Sequence, residues 1–113
     1  LCKRSLKPAY LKYHGQPGMK IGRVAVLGGS GSGYIDSALQ NNAQVFITGE
    51  IKFHDLQKAA LSGLALIDAG HDATERPVIP VMAEYLKKRM RESNFETVVL
   101  VSKEEPESLW KFF

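Results

Sequence analysis

The stretch LALIDAGHDATERP (residues 64–77) begins as an apolar run and passes directly into ionisable residues. Residues 64–68 have the length and composition of a strand that is buried on both faces. Gly70 permits a sharp exit from this strand, and His71 and Glu75 follow with one helical turn between them. If residues 71–75 are helical, an imidazole and a carboxylate converge just beyond the strand. The stretch therefore predicts both a buried strand and a functional site at its carboxyl end.

Short apolar runs alternate with longer amphipathic stretches along most of the chain. Strands are predicted at residues 23–27, 44–48, 64–68 and 97–102. Helices are predicted at residues 34–40, 53–61 and 77–91. Asparagine or glycine near the ends of the first two helices acts as a stop signal. The order predicts an α/β fold with a mainly parallel sheet and helices on its faces, alternating βαβαβαβ after an N-terminal edge strand.

The amino-terminal segment does not follow this alternation of strands and helices. Residues 9–14 alternate with a period of two and predict the edge strand, which the turn at residues 15–18 separates from the rest. Residues 1–20 are accordingly interpreted as a linker plus this edge strand. Residues 1–113 as a whole are interpreted as a single α/β domain.

The third predicted helix has an apolar stripe that is expected to lie in the core. The stripe consists of Ile79, Met82, Leu86 and Met90. Thr74 or Glu75 is expected to cap the amino terminus of this helix. Residues 104–113 are acidic and then aromatic, and the aromatic part is expected to pack on this domain or on a partner.

The composition is typical of a globular protein, since 44% of the 113 residues are hydrophobic and 24% are charged. The net charge of +3 is spread along the chain rather than clustered, so no nucleic-acid partner is expected. A single cysteine, Cys2, cannot form an internal disulfide, which is usual in a reducing compartment. No apolar run approaches the ~18 to 20 residues that cross a membrane, so the expected location is cytoplasmic, without a membrane partner.

Three loops follow the first three predicted strands of the parallel sheet. Their sequences are GGSGSG (residues 28–33), GEIKFHD (residues 49–55) and AGHDATE (residues 69–75). Each contains glycine, and two are rich in ionisable residues, whereas the opposite strand ends contain only turn residues. Because the carboxyl ends of parallel strands lie on one side of a sheet, these loops are expected to meet there and form the ligand site.

The loop GGSGSG allows two interpretations. It lacks the dinucleotide spacing G-x-G-x-x-G, because Tyr34 stands where the third glycine would fall, and it lacks the lysine of a phosphate-binding loop. In the first interpretation its N–H groups, with Gly29 and Ser30 lining the site, bind an anion such as a small nucleotide. In the second, the glycines form a tight turn that lets a neighbouring part of the chain approach closely.

The other two loops contain the candidate metal ligands. His71 and Glu75 together suit a divalent cation such as zinc, manganese, iron or nickel. In the alternative interpretation, Glu75 caps the next helix and His71 is a hydrogen-bonded residue of the core. Glu50, His54 and Asp72 are expected to line the site, with His54 either a further ligand or a polar surface residue.

The segments RVAVLGGSGSGYI, QVFITGEIKFHD and LIDAGHDATER, in this order, resemble the carboxyl-terminal half of the NIF-three-like proteins, also called type 2 GTP cyclohydrolase I homologues. The resemblance covers residue 19 to about residue 101. It implies a longer protein whose two related α/β halves together hold two divalent metal ions and assemble into a ring-like homo-oligomer. His71 and Glu75 are then the ligands from this half, and the missing amino-terminal half brings adjacent histidines and an aspartate.

The sequence contains no adjacent histidines, so the resemblance implies that this chain forms a half-site. Metal binding by the chain alone is expected to be weak or absent, and the chain alone is expected to be inactive. Joined to the missing half, it is expected to be part of a dinuclear, hydrolase-like metal protein. Whether that protein is an enzyme with GTP cyclohydrolase-like activity stays open, as do its catalytic residues. The alternatives are a non-catalytic nucleotide- or anion-binding module and an element of oligomer assembly.

Overall fold

Four short strands form a mixed sheet in the structure, a computed structural model that describes residues 1–103 of the chain. They are β1 (Lys12–His14), β2 (Val24–Val26), β3 (Val45–Thr48) and β4 (Ala65–Asp68). Their order across the sheet is β1-β4-β3-β2, in which β2, β3 and β4 are parallel and β1 is antiparallel to β4. The α/β class, the mainly parallel sheet and the amino-terminal edge strand are as predicted.

Helices connect the strands, and the longer ones lie where the apolar periodicity predicts them. They are α1 (Cys2–Leu6), α2 (Ile35–Gln40), α3 (Phe53–Leu61), α4 (His71–Glu75) and α5 (Val78–Glu92), with a turn of 3-10 helix at Ser32–Tyr34 before α2. The stop signals after α2 and α3 are confirmed, since Asn42 and Gly63 adopt the left-handed backbone conformation. Within residues 1–103, none of the helices combines the length and the apolar composition that a membrane span requires.

The chain divides into two compact units, the first from Leu1 to Pro77 and the second from Val78 onward. The first unit contains the sheet and α1 to α4, and the second contains α5. The interpretation of residues 1–113 as a single domain stays a prediction. Residues 104–113, whose aromatic part is expected to pack on the domain or on a partner, lie outside the described residues.

The core of the first unit joins β3 and β4 to α2 and α3. Phe46 and Leu66 are neighbours across the two strands and are each 2% exposed. Ile35 of α2 and Ala59 of α3 are buried in the same cluster. Burial of a side chain as large as phenylalanine or leucine contributes roughly 1.5–3 kcal/mol. This cluster therefore fixes the two strands whose carboxyl ends lead to the candidate site.

Two predictions of buried strands are wrong. β2 lies at an edge of the sheet, and its Val24 and Val26 are 46% and 72% exposed. Residues 97–102 form no strand, and Val98 and Leu100 are 75% and 85% exposed. β-Branched composition gives a segment strand propensity, but a strand also requires a partner for its N–H and C=O groups. The apolar pattern does not identify that partner.

Helix α5 also differs from the sequence-based expectation. Its apolar stripe is not in a core, since Ile79, Met82 and Leu86 are 45%, 52% and 41% exposed. Helical periodicity indicates that one face is apolar but does not indicate what covers that face. Thr74 and Glu75 do not cap α5, because both lie within the short helix α4.

Asp68 ties the edge strand β1 to the carboxyl end of β4. It is buried, and its Oδ2 lies 3.3 Å from Nζ of Lys12, the residue opposite it on β1. Its Oδ1 accepts a hydrogen bond of 3.1 Å from the N–H of Gly70. Asp68 thereby stabilises the point at which the chain leaves the sheet and enters α4.

Asp68→Ala is expected to lower the free energy of unfolding by about 1–3 kcal/mol, because the Gly70 N–H loses a charged acceptor. Urea denaturation followed by circular dichroism measures the change. Asp36→Ala is the matched control, since Asp36 forms an exposed ion pair with Lys58 at 2.6 Å. Removing an exposed pair should cost less than about 1 kcal/mol. Equal losses in the two variants would contradict the anchoring role of Asp68.

Candidate metal centre

The loops that follow β2, β3 and β4 lie side by side, as the sequence predicts. The Gly49 N–H donates a hydrogen bond of 2.8 Å to the Gly29 carbonyl. Ser30 and Glu50 form an isolated parallel bridge beyond the ends of β2 and β3. These contacts join the strand ends into one surface, here called the crest. It comprises residues 28–31, 48–50 and 69–75.

His71 and Glu75 converge on the crest. Gly70 leaves β4 with a φ of +82°, a conformation that favours glycine, and α4 begins at the next residue. One turn later, Oε1 of Glu75 lies 3.4 Å from Nε2 of His71. The two side chains are 52% and 57% exposed, so the alternative in which His71 belongs to the core is wrong. The predicted convergence of an imidazole and a carboxylate is confirmed.

Glu50, in the loop after β3, approaches the same imidazole at its other nitrogen. Its Oε2 lies 3.5 Å from Nδ1 of His71. The main chain of Glu50 is held by the bridge to Ser30 and by the Gly31 N–H, which donates to the Glu50 carbonyl at 3.3 Å. The ring of His71 therefore lies between two carboxylates, with Glu50 near Nδ1 and Glu75 near Nε2.

Thr74 links α4 to the loop after β2, a role that the sequence does not predict. Its Oγ1 accepts a hydrogen bond of 3.0 Å from the Gly29 N–H. The same oxygen lies 2.9 Å from the carbonyl oxygens of Gly70 and His71, and its single hydrogen is donated to one of these two. A hydroxyl that bonds a carbonyl of the preceding turn is a common local pattern. The bond from the Gly29 N–H, by contrast, joins two segments that are distant in sequence, so it depends on how the chain folds.

Two glycines allow the loops to approach this closely. At Gly29, whose φ is +74°, an added Cβ would collide with the Glu75 carboxylate and would lie 3.0 Å from Nε2 of His71. At Gly49, an added Cβ would lie 2.8 Å from Cα of His71 and from the carbonyl oxygen of Gly70. The space beside the imidazole–carboxylate pair is therefore available only because these positions have no side chain.

The hydrogen bonds of the GGSGSG loop favour the close-approach interpretation over the anion-binding one. The Gly29 N–H donates to Thr74, and the Gly31 N–H donates to the Glu50 carbonyl. Neither group is directed at an external anion. Ser30 takes part through its main-chain bridge to Glu50. The loop thus serves to bring β2, β3 and α4 together.

The structure gives the remaining predicted site residues other partners. His54 is exposed at the start of α3, where its Nδ1 lies 3.4 Å from Oε1 of Gln57 and its ring contacts that of Phe53. Asp72 is ion-paired with Arg76 one turn further along. The structure brings together Glu50, His71, Glu75 and Gly29, whereas the side chains of His54 and Asp72 pair with Gln57 and Arg76. That His54 and Asp72 line the site stays a prediction.

The donor set on the crest fits part of a metal site. Within residues 1–103, no three histidine, cysteine, aspartate or glutamate side chains are arranged to hold a metal ion. His71 and Glu75 supply a ring nitrogen and a carboxylate oxygen on the exposed crest, both of which suit borderline divalent cations. A zinc ion usually takes about four ligands. The two donors therefore fit a half-site of the kind that the sequence predicts.

The fold and the crest define a class of protein, an α/β unit with an exposed imidazole–carboxylate pair beyond the ends of its parallel strands. Residues 1–107 match the model of the family described as Duf34/NIF3 (NGG1p interacting factor 3). The chain belongs to this family, and the resemblance that the sequence motifs indicate is confirmed.

Similar proteins are known from several bacteria. A GTP cyclohydrolase 1 type 2 homolog of Nostoc sp. is 44% identical over 85 residues, which are 75% of this chain and 31% of that protein. One of Clostridium acetobutylicum is 34% identical over 100 residues, 88% of this chain and 37% of that protein. The crystal structure of a Bacillus cereus protein related to NIF3 matches 98% of this chain and 30% of that chain, with a TM-score of 0.87 and 27% identity. The chain spans about a third of the length of these relatives.

Gly49→Ala is expected to lower the free energy of unfolding by about 1–3 kcal/mol. The added Cβ would lie 2.8 Å from two main-chain atoms, the carbonyl oxygen of Gly70 and Cα of His71, which cannot move aside as a flexible side chain would. Urea denaturation measures the change. Gly33→Ala is the control, since an added Cβ at Gly33 meets no atom within 4 Å, and it should be neutral. If Gly49→Ala costs no more than Gly33→Ala, the crest is not closely packed at Gly49.

Proposed function

We propose that this chain supplies His71 and Glu75 as ligands to a dinuclear divalent-metal site in a hydrolase-like protein. The observation that supports this most directly is the 3.4 Å approach of Nε2 of His71 to Oε1 of Glu75 on an exposed crest. Zinc, manganese, iron and nickel all accept a ring nitrogen and a carboxylate oxygen as ligands. The remaining ligands come from the amino-terminal half of a longer protein.

Each residue of the crest has a distinct role in this proposal. His71 contributes the lone pair of Nε2, and Glu75 contributes a carboxylate oxygen and a negative charge. Gly29 leaves the space beside both donors free of side-chain atoms. Thr74 holds α4 against the loop after β2, which keeps the two donors one turn apart on a fixed helix.

The proposed reaction class is metal-assisted hydrolysis. A pair of divalent ions, if bound there, would lower the pKa of a water molecule and polarise a carbonyl, imidazole or phosphoryl group of a substrate. The name of the Nostoc and Clostridium relatives, GTP cyclohydrolase 1 type 2 homolog, is compatible with this class. The substrate is accordingly proposed only as a compound that carries such a group.

The proposed partner of this chain is the missing half of the same protein, within a homo-oligomer. The chain matches 30% of the Bacillus cereus structure, which supports the presence of further domains. The outer edge of β2 supports a further chain there, since Val24 and Val26 are exposed beside a cavity of about 310 Å³. An edge strand with exposed apolar side chains is a ready template for additional protein.

A non-catalytic module that binds a nucleotide or another anion is the alternative function. It would use the N–H groups of the GGSGSG loop. Those of Gly29 and Gly31 already donate to Thr74 and Glu50, which leaves the loop few donors for an anion. The contacts of the crest therefore support the metal proposal better than this alternative.

The proposal is tested by titrating the isotopically labelled chain with zinc chloride and following the ring signals of its histidines by NMR. The ring signals of His71 are expected to shift, because NMR detects even millimolar binding by an incomplete site. His71→Ala and Glu75→Gln each remove one of the two ligands. Each variant is expected to bind zinc about tenfold or more weakly than the wild type.

His14→Ala is the matched control, because His14 is an exposed histidine on β1, outside the crest. Its zinc affinity is expected to equal that of the wild type. The proposal fails if millimolar zinc leaves the His71 signals unshifted. It also fails if His71→Ala binds zinc as well as the wild type does.

A further inference from the structure

We propose that Glu50 is a positioning residue for His71, an inference that rests on the proposed metal-binding function. Its carboxylate accepts the ring proton at Nδ1 of His71. This leaves Nε2, the nitrogen that faces Glu75, as the atom that binds the metal ion. Glu50 therefore acts through His71 and is not itself a ligand.

The geometry of the crest places Glu50 for this contact. Its Oε2 lies 3.5 Å from Nδ1 of His71, an ion-pair distance that is longer than the usual N–H···O hydrogen bond. Charge-assisted N–H···O bonds are typically about 2.7–2.9 Å long, so the proposed bond requires these two half-exposed side chains to move closer together. The bridge to Ser30 and the 3.3 Å bond from the Gly31 N–H hold the main chain of Glu50 beside His71.

The contact with Glu50 determines which ring nitrogen of His71 presents its lone pair to a metal ion. A neutral imidazole carries one proton, so the nitrogen that donates to a carboxylate keeps the proton and the other presents a lone pair. A carboxylate partner also fixes the plane of the ring and raises the basicity of the metal-binding nitrogen. With Glu50 at Nδ1, His71 presents its lone pair on the side of Glu75.

The other acidic side chains around His71 are not available for this role. Glu75 faces Nε2, where a metal ion would bind. Asp72 and Asp68 each pair with a basic side chain of their own. Among the acidic residues of the crest, Glu50 is therefore the one that the fold directs at Nδ1.

The test compares zinc binding by the wild type with that of Glu50→Ala and Glu50→Gln. Removing a group that orients a metal-binding histidine typically weakens metal binding about 10–100-fold, and this loss is expected for Glu50→Ala. Glu50→Gln keeps an oxygen that can accept the Nδ1 proton. The zinc affinity of this variant is therefore expected to lie between that of Glu50→Ala and that of the wild type. Glu84→Gln is the control, since the Glu84 carboxylate contacts Lys87 at 2.8 Å on α5. Its affinity should equal that of the wild type.

A second measurement separates positioning from a general loss of structure. Long-range ¹H–¹⁵N spectra of the zinc-bound wild type are expected to show the His71 proton on Nδ1 and zinc at Nε2. In Glu50→Ala the Nδ1 proton is expected to exchange with water faster. The backbone amide spectrum outside the crest should stay that of the wild type.

The outcomes distinguish this inference from the proposal on which it rests. If the His71 signals of the wild type do not respond to zinc, the metal-binding function itself is overturned. If they respond but Glu50→Ala and Glu50→Gln bind zinc as the wild type does, only the role of Glu50 is overturned. Binding of zinc at Nδ1 of His71 in the wild type would also overturn the role of Glu50 alone.

Discussion

The close approach of three strand-end loops is the constraint on which the candidate site depends. The loop after β2 approaches the main chain of α4 at Gly28, where an added Cβ would lie 3.0 Å from the carbonyl oxygen of Thr74, and the Thr74 hydroxyl accepts the N–H of Gly29. Gly49 leaves room in the same way for the turn at Gly70. These contacts also set the position of His71. The positions of the ionisable side chains on the crest therefore depend on its glycines.

The parts of the fold that could be predicted are those whose sequence pattern is explained within this chain. β3 and β4 lie inside the sheet and are largely buried, so their runs are apolar up to their last residues, Thr48 and Asp68. The sequence around β1 shows the alternation of an edge strand. β2 and residues 97–102 have the same apolar composition but are exposed in the described part of the chain. An apolar pattern shows that a segment is suited to burial. It cannot show which element, or which chain, covers it.

The candidate site could be predicted to the level of loops and spacing. The three loops could be predicted to meet because the carboxyl ends of parallel strands lie on one side of a sheet. His71 and Glu75 could be predicted to approach each other from their i to i+4 spacing. The role of Thr74 could not be predicted, because it depends on a main-chain separation that only the packed structure defines. The same holds for Glu50, since its assignment to Nδ1 depends on the side-chain conformation of two residues distant in sequence.

The proposed roles of the two halves of the protein differ, because the groups that position the two donors lie in this chain. Gly29, Glu50 and Thr74, which hold or border the imidazole and the carboxylate of α4, all belong to this chain. The described contacts that hold α4 and border its two donors thus lie within this chain. Within residues 1–103 the crest supplies these two donors, which are fewer than the about four ligands that zinc usually takes. A second half would therefore add ligands and enclosure to a site whose geometry is already defined, and such preorganisation reduces the free-energy cost of assembling the complete site.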